Sequence, residues 1–492
     1  MSISGDSRRI LRTAIFSRLL VFSLMCLWRL LLHPYDTSAA LNPPCLGVAT
    51  AGAPPLWPRA AAAIERSVVW DGVHFLRIAE CDYEYEQTFA FFPALPVFIS
   101  LLARSVFAPL VPLLGFRAVL ALAGYALNNA AFLIAAVYFY RLSVLVLRDE
   151  AAAYRASMLF CFNPASVFYS SIYSESLYAW FSLGGVFHLL SGSNAMAVLL
   201  LALSGLVRSN GALNAGYLFF RDLHRATAAI LGKKPLSELK GVAAGGLKIG
   251  CVMTPLVFFQ AYGYAKLCLG RDPKERRPWC GPGIPRLYGY VQSHYWDVGF
   301  LRYFQVKQLP NFLLASPMLL LATCSIMEYV RLRPEAVLSL GLRAPAKERK
   351  IAAATSAMPS GEPIGRFTFM RLILNLADRG RRRGNQRLLE LGTEGNPVVR
   401  QRRHGGRAFR GYSSLLVLPF VYHLAFMAAV AFFVMHVQVA TRFLSASPPI
   451  YWFAAGYVGG DHASLTSRLI VVYFATFLLL GSLLFSNFYP FT

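Results

Sequence analysis

Apolar residues along this chain gather in long blocks, separated by short polar breaks and by two extended polar loops. The blocks cover residues 13–32, 89–112, 116–147, 151–172, 178–190, 195–220, 242–269, 311–330, 412–439 and 466–488. A helix that crosses a bilayer needs about 20 predominantly apolar residues. Backbone groups in lipid must satisfy one another, so blocks of this length predict helices. The pattern predicts an all-α fold, a polytopic transmembrane helical bundle of about ten spans. Polar loops at 33–88 and 270–310 are placed on the lumenal side. The chain divides into N-terminal membrane helices (1–330), a basic cytosolic insert (331–411) and C-terminal membrane helices (412–492).

Composition sharpens this picture. Of 492 residues 56% are hydrophobic and only 15% charged, where a soluble protein carries about a quarter. The formal net charge of +24 raises nucleic-acid binding, but its location argues against that class. Between Arg331 and Arg410 stand 18 Lys/Arg and 6 Asp/Glu, so +12, half of the excess, lies in one stretch. That stretch lacks interleaved aromatic rings for stacking on bases. Basic loops between spans mark the cytosolic side, and high charge with few core-forming residues predicts disorder. The loop at 33–88 has the opposite character, with seven acids and three arginines, as a non-cytosolic loop should. Arg8, Arg9 and Arg12 precede the first block, which is too long for a signal peptide and predicts an uncleaved first helix. Arg18 and Arg29 inside it are expected to snorkel or to face other helices. The eight cysteines form no CxxC pair or Cys/His cluster, so no metal site is expected. Cys45, Cys81 and Cys280 lie in the candidate lumenal loops, and which of them pair is open.

Polar islands at the block edges are the candidates for chemistry. The first runs from Trp70-Asp71 through His74 and Glu86 to Phe91-Phe92-Pro93, carboxylates and rings where a loop re-enters the membrane. Aromatic faces and carboxylates hold sugars, and Asp71 beside Trp70 is placed to act as a base for an acceptor hydroxyl. Interfacial aromatics are also common as simple anchors, which is the competing reading. Tyr169 to Ser176 follows Asn163-Pro164, and Glu175 is a candidate for orienting a sugar or assisting the base; a turn capped by Ser and Asn accounts for it equally. Arg208 and Asn210 interrupt an apolar block, where polar groups are costly and functional by default. Arg208 suits a lipid-linked phosphate, which its guanidinium grips bidentately, or a carboxylate on a neighbouring helix. Trp296 and Lys307 in the 270–310 loop, and Gln438 and Arg442 near the end, complete the set, with the two basic groups as phosphate partners. His436 reads as a packing residue. No Walker loop and no HExxH occurs, so a sugar donor would have to be membrane-borne.

Taken in order, these segments resemble the GPI mannosyltransferase 2 (PIG-V-like) family. The resemblance rests on Trp70-Asp71 with His74, Phe75, Glu86 and 89–93; Tyr173-Ser174-Glu175; Val207-Arg208-Ser209-Asn210-Gly211; and Pro278-Trp279-Cys280. It continues through Tyr295-Trp296, Gln308 with 310–315, His436-Val437-Gln438-Val439 and Thr441-Arg442-Phe443-Leu444. The resemblance implies a GT-C-like endoplasmic-reticulum membrane enzyme with a lumenal active site and no cofactor. It implies dolichyl phosphate mannose as donor, a GPI-precursor glycolipid as acceptor, an α-1,6 bond to the second mannose, and an inverting mechanism with Asp71 as base. For some members it also implies a small membrane subunit as partner. The rival readings are a related lipid-donor transferase with another acceptor and, further off, a transporter. The absence of a sequence repeat weighs against transport.

Overall fold

The computed structural model describes residues 5–35, 45–46, 54–231, 235–269, 277–281, 286–353, 411–458, 464–489 and 491. The fold is all-α, as the apolar blocks require, with no strand among the described residues. Six helices are long and apolar enough to cross a membrane: Gly5–Leu31, Phe116–Leu147, Gly241–Cys268, Val306–Leu332, Leu415–Phe433 and Leu465–Ser486. A seventh span arises if Ala94–Arg104 and Ala108–Leu114, bent by 68°, act as one. Between 150 and 231, where three apolar blocks predicted spans, the chain forms shorter helices: Glu150–Cys161, Ser166–Ser170, Glu175–Leu190, Asn194–Val207 and Ala215–Leu231. Pro164 and the polar residues around Arg208 cause the breaks. A proline cannot continue the backbone ladder, and Arg208 leaves the helix in extended conformation, φ −152° and ψ 149°.

Phe116–Leu147 is the central post. About 72% of its apolar segment is buried, against 17% for Gly241–Cys268, which therefore faces lipid. The post packs on Glu175–Leu190, Ala94–Arg104, Gly5–Leu31 and Glu150–Cys161. Phe160 stacks on Phe139 at 4.6 Å, and the Trp452 indole donates to Ser143 Oγ at 2.7 Å. Glu175–Leu190 and Asn194–Val207 approach so closely that a Cβ on Gly185 would lie 2.4 Å from Leu201. Only glycine fits there.

The segment expected to open the basic insert is partly helical, with Pro334–Leu338 and Ala346–Ala353. It is tied to the bundle by an Arg333–Glu348 ion pair and by His224 against the Leu340 carbonyl. The disorder expected further on, at 354–410, falls outside the described residues.

Both arginines of the first span face other helices. The Arg29 Nη1 donates to the Ser486 carbonyl at 2.6 Å. Arg18 is buried, donates to the carbonyls of Ser166 at 2.8 Å and Cys161 at 3.1 Å, and lies 3.9 Å over the Phe132 ring. A cation suits the carbonyl end of Glu150–Cys161, and this one fixes the non-helical stretch that leads to Glu175. Replacing Arg18 by Met removes its bond to the Ser166 carbonyl and leaves the Cys161 carbonyl to Ser17 alone, and hydrogen bonds from a buried cation contribute about 1.5–3 kcal/mol. Thermal unfolding of the detergent-purified variant is expected to shift down by several degrees, and an unchanged midpoint would remove Arg18 from this role.

Candidate active site

Four charged side chains meet at one end of the bundle, three of them at the end of a helix. Asp71 and Glu175 are the first residues of Asp71–Cys81 and Glu175–Leu190, where the partial positive charge of a helix N-terminus favours a carboxylate. Arg208 stands just past the C-terminus of Asn194–Val207, and Arg442 sits in the short helix Ala440–Leu444. Their charges alternate in space. Asp71 Oδ2 accepts from Arg442 at 2.8 Å, Arg442 lies 3.8 Å from Glu175 Oε1, and that same oxygen accepts from Arg208 at 2.7 Å. Glu175 is buried at 2% side-chain exposure, whereas Asp71 keeps 29%. Burial works against the charge on Arg442, but Asp71 and Glu175 outweigh it and hold the guanidinium above its ordinary value.

The backbone around these groups is specialised. Trp70 adopts φ 54°, a conformation that non-glycine residues rarely hold and that concentrates at functional sites. It is anchored there by its indole, which donates to the Phe485 carbonyl at 3.2 Å, and by ring contact with Phe488. The Tyr173 hydroxyl accepts the Asp71 backbone N–H at 3.1 Å. Past Arg208 the chain turns so tightly that a Cβ on Gly211 would fall 2.2 Å from the Ser204 carbonyl oxygen.

Asp71, Arg208 and Arg442 line an open cleft. Phe75, Phe91, Phe92 and Trp296 give it ring faces, and Asn210, Tyr288, Gln292 and His436 give it polar edges. Several buried polar atoms here have no partner among the described residues: Glu175 Oε2, Asn210 Oδ1, Trp296 Nε1 and Arg442 Nε. Buried polar groups are almost always paired, so the orphans mark places where a polar ligand fits.

Of the residues expected at the site, Asp71, Arg208, Asn210, Trp296 and Arg442 meet in this cleft, with Glu175 directly behind the two arginines. Arg208 meets both of its alternative readings, since it pairs with a neighbouring carboxylate while lining the cleft. His74 stacks on Phe91 at 4.8 Å and meets Trp296 edge-on. Burial pushes its imidazole below the ordinary value, against the opposing pull of Asp71. Gln438 is half-buried beside the cleft residues His436 and Val439. Glu86 and Lys307 do not line the cleft. Lys307 is exposed, and Glu86 is buried among Trp279, whose indole donates to it, Tyr295, whose hydroxyl donates at 2.8 Å, and Arg277 at 3.7 Å. Burial and the Glu86 carboxylate push the Tyr295 phenol up to about 12, so it stays a donor. The sequence reading missed Tyr288 and Gln292 and discounted His436. Tyr288, Gln292 and Trp296 recur every four residues along and just past the helix Leu287–Tyr295, the spacing of a single helix face.

Two disulfides brace this end of the molecule. Cys45 pairs with Cys81, at the end of the helix that starts at Asp71, and Cys268 pairs with Cys280 beside Trp279. Cys268 had been placed inside an apolar block. It is the last residue of Pro235–Cys268, which frees its thiol for the loop.

A helical membrane bundle with an ion-paired, ring-lined cleft at one end defines an integral membrane enzyme acting on a polar head group. The family described as Mannosyltransferase (PIG-V) matches residues 7–492, and the chain belongs to it. It is 31% identical to the human GPI alpha-1,6-mannosyltransferase 2 over 86% of this chain and 87% of that one. It is 29% identical to the protein of the same name in Cricetulus griseus over the full length of both. The GPI mannosyltransferase 2 of Drosophila melanogaster is 32% identical over 86% of each. No solved structure matches the chain. The chain is thus a glycosyltransferase of the mannosyltransferase type.

Glu86 docks the 277–281 segment and Tyr295 onto the first loop, so it supports the cleft wall from behind. Hydrogen bonds to a buried charge contribute about 1.5–3 kcal/mol. Glu86→Gln should therefore speed hydrogen exchange across 286–296 by about tenfold or more. Unchanged protection in that segment would show that the wall stands without Glu86.

Proposed function

We propose that this chain transfers mannose from dolichyl phosphate mannose to a hydroxyl of a mannosylated GPI precursor. The product is the α-1,6 bond of the second mannose, formed at the lumenal face of the endoplasmic reticulum. The relatives' names support the acceptor and linkage. Two disulfides beside the cleft support an oxidising compartment, since such bonds persist there and are rare in the cytosol.

The observation that carries the mechanism is Asp71 in the cleft with Arg208 and Arg442 at hand. The acceptor oxygen attacks the mannosyl anomeric carbon from the side opposite the phosphate, and its proton passes to the Asp71 carboxylate. The bond from that carbon to the phosphate oxygen breaks, and dolichyl phosphate departs with the electron pair. Guanidinium groups offset the charge that develops on the leaving group. Trp296 Nε1 and Asn210 Oδ1, both without partners among the described residues, hold sugar hydroxyls against the ring faces. Lys307, exposed and away from the cleft, suits lipid head groups at the interface.

General-base catalysis contributes about 10²–10⁴-fold. With radiolabelled dolichyl phosphate mannose and a one-mannose GPI precursor, membranes carrying Asp71→Asn at normal protein level should lose transfer by that factor. Full activity of the variant would remove Asp71 as base. Failure of the unaltered protein to label the precursor would overturn the proposed reaction itself.

A further inference from the structure

The resting arrangement poses a problem for the proposed base. Asp71 Oδ2 is engaged by Arg442 at 2.8 Å, so the oxygen that would receive the acceptor's proton is already occupied. The same cluster contains the means of release. Arg442 has a second carboxylate within reach, since its Nη1 is 3.8 Å from Glu175 Oε1. That oxygen is already occupied by Arg208 at 2.7 Å. Glu175 Oε2 and Arg442 Nε are buried and have no hydrogen-bond partner among the described residues. An acceptor and a donor of opposite charge thus stand unsatisfied on adjoining side chains.

We infer that the lipid-linked phosphate unmasks Asp71 through an exchange of ion pairs, an inference that rests on the donor class proposed above. The phosphate draws Arg208, which lines the cleft, away from Glu175. The vacated carboxylate takes Arg442, and Asp71 is left free to accept a proton. The surroundings permit this shift. Arg442 lies over the rings of Phe168 and Tyr173, at 5.6 Å and 5.3 Å, which hold a cation whichever carboxylate it faces. The Asp71 backbone stays on the Tyr173 hydroxyl at 3.1 Å while its side chain changes partner. The exchange leaves Asp71 as the one carboxylate of the four without a guanidinium, and its side chain, 29% exposed, can carry that charge where buried Glu175 could not. The base becomes competent only when a donor phosphate is present.

The test labels free carboxylates at one fixed pH in the detergent-purified full chain, using a water-soluble carbodiimide and an amine, with dolichyl phosphate as the probe ligand. Asp71 is part-exposed and Glu175 buried, so mass spectrometry reads Asp71 selectively, with exposed Asp82 as reference. Labelling of Asp71 should rise severalfold on adding dolichyl phosphate, although a bound lipid that merely covers the cleft would lower it. Without lipid, only one of two variants should rise above the unaltered chain. Arg208→Gln vacates Glu175 and leaves Asp71 highly labelled whether or not lipid is present. Glu175→Gln removes the second seat and leaves Asp71 poorly labelled in both conditions. A purely structural role for these residues would move both variants the same way, which overturns the exchange, as does an unchanged or falling signal in the unaltered chain with lipid bound. Binding of dolichyl phosphate is followed separately through tryptophan fluorescence. Absent binding sinks the donor class, while the lipid-free variants still decide the exchange.

Discussion

The organisation of this molecule depends on keeping four charges in balance where water is scarce. An unpaired buried ion costs several kcal/mol, so Glu175, at 2% side-chain exposure, requires the two arginines, and Arg442 in turn draws in Asp71. The helix termini lower that cost. Both acids sit where amide groups point at them, and Arg208 sits beside carbonyls at a helix end. Because the four come from positions far apart in sequence, their neutrality can be met only when the segments around 70, 175, 208 and 442 are brought together. The bundle is thereby pinned at the end where the cleft opens.

The breaks in the helices follow from the same requirement. Uninterrupted spans would carry side chains past one another in register, and could not present three helix termini to a single point. Asn163-Pro164 ends one helix, the extended residue at Arg208 ends another, and a left-handed Trp70 starts a third. Buried Arg18 satisfies the carbonyls that the first of these breaks exposes. Irregular backbone is tolerated at membrane depth where protein or a cavity supplies its partners, and here both do.

Much of this was legible in the chain. The apolar blocks located the long helices, because hydropathy reads burial in lipid directly. Asp71, Glu175, Arg208 and Arg442 stood out as charges at block edges, where their expense demands a reason. The number of spans was not legible, since an apolar stretch broken by proline reads much like a continuous one. Tyr288 and Gln292 escaped notice because their helix lies inside a Pro- and Arg-rich loop with no apolar period around it. Glu86 was read with the sugar-binding set because residue type alone cannot distinguish a carboxylate facing a cavity from one facing an indole. Cys268 does end its apolar helix, but composition does not tell that the last residue of such a helix can pair with a loop cysteine.

The two sulfur bridges add an oxidation step to the assembly of this enzyme. Both attach to pieces of chain that flank the cleft, the helix beginning at Asp71 and the turn that carries Trp279. Helix packing can proceed without them, but these linkages require an oxidant. Setting the loops around the reaction chamber therefore draws on the redox state of their compartment as well as on helix packing.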